Sequence, residues 1–122
     1  MRKLVIKNKK AFTLLELMFV VAITLLVITG ASLSFVQLMF LADSSVNLTI
    51  AATDAQYVLE QLKGLAYEAI SSYTAPVFYN LPAETITLTR SVGVNLADIT
   101  VAVSWQERKQ TRNFSLSTYI AK

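Results

Sequence analysis

Glu16 is the only ionisable residue between Ala11 and Ala42. A carboxylate inside an apolar segment costs several kcal/mol unless a partner neutralises it. Such an acid either meets a cation from outside its own segment or stabilises the start of its own helix. The second role acts through the helix dipole and contributes about 0.3–1 kcal/mol. Glu16 can therefore either form an ion pair with a cation or stabilise the first turn of its own helix.

The residue types needed for the common catalytic and metal sites are missing from the sequence. The 122 residues include no Cys and no His, which excludes disulfides, the usual zinc sites, Cys–His pairs and the Ser-His-Asp triad. The eight acidic residues are scattered, without the spacing of a calcium-binding loop. We predict that the chain is not an enzyme and holds no metal or cofactor.

The apolar run that contains Glu16 is long enough to cross a membrane. No residue from Leu17 to Ala42 is charged, and a bilayer core of about 30 Å needs roughly 20 apolar residues in a helix. Five of the 11 basic residues lie in the first ten positions, while the remaining six are outnumbered by eight acids. The positive-inside rule therefore predicts a cytoplasmic N-terminus and a C-terminal part on the other side.

Two common kinds of apolar segment, a secretory signal peptide and a single-pass membrane anchor, each explain only part of this run. A secretory signal peptide has an apolar region of about 7–15 residues followed by a small-residue cleavage site, and this run is longer. A plain single-pass anchor fits the length but leaves Glu16 unexplained.

Residues 9–17, KKAFTLLEL, resemble the processing motif of type IV prepilins and of the pseudopilins of type II secretion. In that family a basic leader ends in Gly, or less often Ala. A prepilin peptidase cuts before a Phe and N-methylates it, and the fifth residue of the mature chain is Glu. The resemblance implies cleavage between Ala11 and Phe12, methylation of Phe12, and Glu16 as the fifth mature residue.

The resemblance also implies how the chain is organised. Residues 1–11 would be the removed leader, 12–42 the transmembrane and assembly helix, and 43–122 a periplasmic or extracellular head. The precursor would lie in the bacterial inner membrane, surrounded by lipid, before it joins a pilus or pseudopilus. Its partners would be the peptidase, the assembly platform in that membrane and other pilin subunits.

Within the family, Glu16 is expected to pair with the new amine of Phe12 on a neighbouring subunit. Residues four apart share one helix face about 5.4 Å apart along the axis, and a paired buried charge can set the register between helices. A minor pilin or pseudopilin is favoured over a major pilin. The alternative is a membrane-anchored binding module that never polymerises.

The remaining sequence predicts an α+β head. Apolar residues continue at helical spacing beyond residue 42, which predicts one helix from Phe12 to Ile70 with its outer half on a sheet. Asp54 is assigned to a different face from the apolar stripe. The predicted stripe is Ala51, Ala55, Val58, Leu59, Leu62, Leu65, Ala66 and Ala69.

After two prolines, alternating apolar and polar residues predict strands over 85–89, 99–105 and 114–120, with 77–79 as a short edge strand. The fold predicted is a long N-terminal helix, transmembrane in its first half, on an antiparallel sheet of three or four strands, as in pilins. Trp105 and Phe114 are expected in the core, and residues 106–110 in a hairpin loop.

Three cations, Arg108, Lys109 and Arg112, cluster near this loop. Solvated turn residues are the favoured interpretation. Three cations without a stacking surface do not favour nucleic acid as a partner.

Overall fold

The computed structural model describes residues 12–122. In chain order it contains helix α1 (Leu14–Lys63), a 3₁₀ helix (Tyr67–Ser72), and strands β1 (Thr85–Val92), β2 (Leu96–Glu107) and β3 (Gln110–Ala121). The chain divides into two compact units, Met1–Phe40 and Leu41–Lys122.

The described part of the first unit is helical from Leu14 onward, and all of its side chains are exposed. Four hydroxyl groups between residues 24 and 34 are nevertheless satisfied, because each donates a hydrogen bond to the backbone carbonyl four residues earlier. The pairs are Thr24 to Val20 (2.7 Å), Thr29 to Leu25 (2.8 Å), Ser32 to Ile28 (2.8 Å) and Ser34 to Gly30 (3.0 Å). These four polar side chains therefore add little polar surface to the apolar helix.

In the second unit, one face of α1 packs on the sheet. The face is formed by small and branched side chains at three- and four-residue spacing, and it meets the inward side chains of β2. Fully buried residues include Ala51, Ala55, Val58 and Leu62 of the helix and Ile99, Val101 and Val103 of the strand. This burial supplies most of the hydrophobic stabilisation of the head.

The sheet is an antiparallel meander in the order β1-β2-β3. β2 lies in the centre, with Leu88 opposite Val101 on one side and Leu116 opposite Val101 on the other. Trp105 is buried and Phe114 packs against the core, as predicted. The predicted α+β class is confirmed, and its arrangement of a long N-terminal helix on a three-stranded antiparallel sheet is pilin-like.

The helix ends earlier than the sequence pattern predicts. α1 stops at Lys63 rather than Ile70, because Gly64 follows and glycine is about 1 kcal/mol less favourable than alanine in a helix. The chain then turns and forms the 3₁₀ helix, which still buries Ile70. Leu65, predicted on the buried stripe, is instead 38% exposed.

The predicted edge strand over 77–79 is wrong. No ladder forms there, and Pro76 cannot donate a backbone hydrogen bond. The segment is attached through its side chains instead, since the rings of Phe78 and Tyr57 meet edge to face with centroids 5.8 Å apart. Tyr79 beside it is 89% exposed.

The hairpin between β2 and β3 is tighter than predicted. Glu107 pairs with Gln110, so Arg108 and Lys109 form a two-residue turn. Both have positive φ, 49° and 65°, which is the backbone of a type I′ turn. Asn and Gly normally occupy these positions, whereas the predicted loop was taken from the run of polar residues 106–110.

Candidate processing and assembly site

Helix α1 begins with Thr13 as its N-cap. The Thr13 side-chain oxygen accepts a hydrogen bond from the backbone N–H of Glu16 at 3.3 Å, and the Thr13 carbonyl accepts from the N–H of Leu17 at 3.1 Å. A hydroxyl at this position satisfies one of the unpaired N–H groups of the first turn. Phe12 therefore lies directly before the N-cap, and the first helical residue is Leu14.

Phe12 and Glu16 lie at the two sides of this cap. Phe12 precedes the N-cap and is 75% exposed, and Glu16 is exposed in the first turn. Within residues 12–122 the Glu16 carboxylate makes no hydrogen bond and no ion pair. Ala11, the predicted residue before the cut, lies outside the described residues.

The apolar segment that follows contains no buried residue. Every side chain from Phe12 to Asp43 is exposed, including Phe19 at 62% and Phe35 at 64%. By length and composition α1 is apolar enough to cross a membrane. A surface of this kind in water would be strongly unfavourable, so the segment requires lipid or protein around it.

Three polar clusters in the head were not predicted from the sequence. The first holds the β2–β3 hairpin to α1 through Glu107, whose side chain is 8% exposed. Ser44 donates its hydroxyl to this carboxylate at 3.1 Å, Asn47 donates its amide at 3.3 Å, and Arg112 Nε lies 3.5 Å away. Ser44 and Asn47 continue the spacing of the buried stripe toward the N-terminus, a signal that the apolar pattern alone did not include.

The second cluster holds the 3₁₀ helix. Arg90 lies on β1 in register with the inward-facing Ile86 and Leu88, and its Nη1 donates to the carbonyls of Ile70 at 2.9 Å and Tyr73 at 2.6 Å. The Ile70 carbonyl also accepts the backbone N–H of Tyr73 at 3.4 Å, so Arg90 reinforces the end of a short helix, where carbonyls lack intrahelical partners. The sequence held one signal of this cluster: Arg90 occupies a position of β1 where the alternation calls for an apolar residue.

The third cluster lies beside α1. Asp54, predicted on a different face, is only 6% exposed. The side-chain amide of Asn80 contacts the Asp54 carboxylate. The backbone N–H of Asn80 donates to Glu84 Oε2 at 3.0 Å, and the N–H of Leu81 donates to the same oxygen at 3.2 Å. The Asp54 prediction was wrong because the assignment weighed charge alone, whereas the side-chain amide of Asn80 donates hydrogen bonds to the buried carboxylate.

Comparison with known proteins bears on the N-terminal segment. The family model described as the prokaryotic N-terminal methylation motif matches residues 6–32. No curated protein and no solved structure matches the chain. The matched residues include the predicted cut, Phe12 and Glu16. Residues 6–32 therefore match an N-terminal methylation motif of the type IV prepilin kind.

Proposed function

We propose that this chain is a structural subunit, a minor pilin or pseudopilin, of a type IV pilus or a type II secretion filament. Prepilin peptidase cuts it between Ala11 and Phe12 and methylates the new N-terminus. The observation that carries the proposal is the methylation motif at residues 6–32, followed by an apolar helix whose side chains have no cover in the described chain.

The state of Glu16 supports the assembly step. Its backbone N–H is capped by Thr13, while its carboxylate has no partner among the described residues. Cleavage before Phe12 creates an ammonium group one helical turn away, and in a bundle of offset helices that cation reaches the carboxylate of the next subunit. A buried charge without a partner is strongly unfavourable, so this pairing selects neighbours with the correct offset.

The proposed topology follows from charge and apolar length. Residues 1–11 form the cytoplasmic leader, residues 12–42 the membrane and assembly helix, and residues 43–122 the head outside the inner membrane. Before assembly the helix is surrounded by lipid; afterwards, other pilin subunits surround it. The assembly platform of the inner membrane would move the subunit from the first environment to the second.

Mass spectrometry of the N-terminus tests the processing step. Coexpression with an active prepilin peptidase is expected to remove residues 1–11 and leave N-methyl-Phe12. An inactive peptidase is the matched control, and Ala11→Leu should block cleavage that Ala11→Gly preserves, because the position before the cut takes a small residue. A full-length chain in the presence of the active enzyme would favour an unpolymerised membrane-anchored module.

A second experiment separates assembly from insertion. Glu16→Gln removes the charge and keeps the size of the side chain, so the precursor should enter the membrane and be cleaved normally but fail to appear in sheared filaments. Glu60→Gln, on an exposed position of the same helix, is the control and should assemble. Normal incorporation of Glu16→Gln would refute the pairing role.

A further inference from the structure

Gln37 differs from the other polar residues of the apolar run, because its side chain has no hydrogen-bond partner within residues 12–122. The four hydroxyls of the run each donate to the backbone carbonyl four residues earlier; they belong to Thr24, Thr29, Ser32 and Ser34. The Gln37 amide has two N–H donors and a carbonyl acceptor, and the side chain is exposed. Its hydrogen bonds must therefore be made outside its own helix.

The surroundings of Gln37 on the helix are apolar. Leu33 and Phe40, one turn before and one turn after it, are 63% and 45% exposed. Lipid chains offer no hydrogen-bond partner to an amide, and amide side chains in membrane helices bind across to a neighbouring helix. Once the apolar run is in a membrane, Gln37 therefore favours contact with another helix.

Gly30 and Ser34 lie on the same face of α1 as Gln37. At about 100° per residue, the three positions fall within roughly 60° of arc. A Cβ built on Gly30 meets nothing within 4 Å, so no contact inside the described chain requires a glycine there. The Ser34 hydroxyl donates to the Gly30 carbonyl at 3.0 Å. Two small residues one turn apart thus allow a second backbone to come close beside the Gln37 amide.

A second copy of this chain supplies the group that the amide needs at the same depth. Copies of one chain take the same orientation in a membrane, so their Gln37 side chains lie level with each other. An amide is both donor and acceptor, so two of them can exchange N–H···O hydrogen bonds across a two-fold axis along the helices. The hydroxyls of the run are already bound to their own helix, which leaves Gln37 for this role.

We propose that the face formed by Gly30, Ser34 and Gln37 joins two copies of the chain in the membrane before assembly, with their Gln37 amides hydrogen-bonded to each other. The proposal rests on the proposed function, because it requires that residues 12–42 span the membrane. Helices that are offset along a filament cannot keep the two amides level. The pair is therefore a membrane reserve of subunits, and it must separate before a subunit enters a filament.

The pair does not use Glu16. The Glu16 position lies about 27 Å before Ser34 along α1. Helices that meet through small residues commonly cross at about 40°, which moves the two axes roughly 18 Å further apart at the level of Glu16. The two carboxylates therefore stay apart, and a contact through Gln37 is separable by experiment from the charge pairing proposed for assembly.

The test uses the full chain in lipid vesicles and measures energy transfer between copies. The sequence has no Cys, so Lys122→Cys provides one attachment point for a donor or an acceptor fluorophore at the C-terminus. Dilution of the labelled chain with lipid gives the dissociation constant of the pair. We expect transfer above the level of random proximity, and Gln37→Leu should raise the dissociation constant about 3- to 30-fold.

Gly30→Leu should weaken the pair as well, because it blocks the close approach while open space surrounds the new side chain in the single copy. The matched control for both variants is Ser32→Leu, which places the same leucine on the opposite face of the helix and should leave the dissociation constant unchanged. Glu16→Gln should also pair normally. Thermal unfolding of the head checks that all the variants are folded.

The outcomes that contradict the pair are distinct from those that contradict the proposed function. A chain that does not float with vesicles refutes the membrane anchor. A chain that floats without specific transfer overturns only the pair, as does an unchanged dissociation constant in Gln37→Leu or loss of transfer in Glu16→Gln. Transfer that appears only when a different pilin precursor is added would assign Gln37 to a mixed contact and overturn the second copy as partner.

Discussion

Asn80 donates its side-chain amide to both carboxylate oxygens of Asp54, at 3.1 and 3.0 Å. The backbone N–H of the same residue donates to Glu84. Asn80 thereby joins a helix residue and a residue just before β1, and it brings two acidic side chains into one cluster. No lysine or arginine within residues 12–122 forms an ion pair with either acid. The cluster is therefore sensitive to the protonation of Glu84.

Burial raises the pKa of Glu84 above its usual 4.5, and a hydrogen bond with Asp54 and the charge of Asp54 raise it further. Because the folded-state pKa lies above the unfolded value, the stabilising contribution of protonated Glu84 is complete below the unfolded pKa. It is lost as the pH rises through the folded pKa. We expect the melting temperature of the chain in detergent micelles to fall as the pH is raised from about 4.5 into the neutral range.

Glu84→Gln should remove most of this pH dependence. An amide accepts from the same backbone N–H groups and donates to Asp54 without carrying a charge, so the variant should melt above the unsubstituted chain at neutral pH. Glu60→Gln, at an exposed position on α1, should retain the pH dependence. A pH profile of Glu84→Gln that follows the unsubstituted chain would contradict the assignment.

Arg90→Lys should loosen the 3₁₀ helix selectively. The ammonium of lysine lacks the planar guanidinium geometry that brings Arg90 Nη1 to the carbonyls of Ile70 and Tyr73. Hydrogen bonds from charged donors contribute about 1.5–3 kcal/mol each. Amide hydrogen exchange over residues 67–73 should accelerate while β2 stays protected. Uniform acceleration over the whole head would instead indicate a global loss of stability.

The double variant Arg108→Asn/Lys109→Gly should stabilise the head. Asn and Gly adopt the positive φ of this turn readily, and each non-glycine residue in a sparsely populated region costs about 1–3 kcal/mol. The midpoint of urea unfolding should rise. An unchanged or lower midpoint would show that the turn relaxes around Arg and Lys.

Leu62→Ala tests the packing of α1 on the sheet. Leu62 is fully buried, and truncation of a buried leucine to alanine costs about 2–5 kcal/mol. Leu65→Ala is the matched control, because Leu65 lies just after the helix and is 38% exposed. We expect a large fall in the unfolding free energy for the first variant and a small one for the second. Equal effects would mean that the helix face is assigned incorrectly.

The sequence predicted the elements that repeat a simple pattern. The long apolar run, the buried stripe around Val58 and the alternation of β2 follow directly from side-chain spacing. The end of α1 was missed because the apolar stripe continued past Gly64, and the choice between helix and turn there depends on backbone cost. The strand predicted near Phe78 does not form. An aromatic contact with Tyr57 holds this segment in place of backbone hydrogen bonds to a neighbouring strand.

The three polar clusters could not be predicted from the spacing of apolar and polar residues. Glu107, Arg90 and Asp54 each depend on partners distant in the sequence, such as Ser44 for the first and Asn80 for the last. Spacing along the chain carries little information about such pairs. The candidate site at Phe12 and Glu16 was different, because its residues are close in the sequence and its roles were inferred from the resemblance of residues 9–17 to a prepilin processing motif; those roles stay predictions.

The hydroxyls of Thr24, Thr29, Ser32 and Ser34 are each tied to the helix that bears them. A membrane segment with its polar groups internally satisfied exchanges the same van der Waals contacts with acyl chains as with neighbouring helices. Transfer of the proposed membrane helix between lipid and protein then breaks none of these four hydrogen bonds. Residues 24–34 can therefore leave and re-enter a bilayer with the same internal hydrogen bonds, which suits the proposed filament subunit to repeated rounds of assembly.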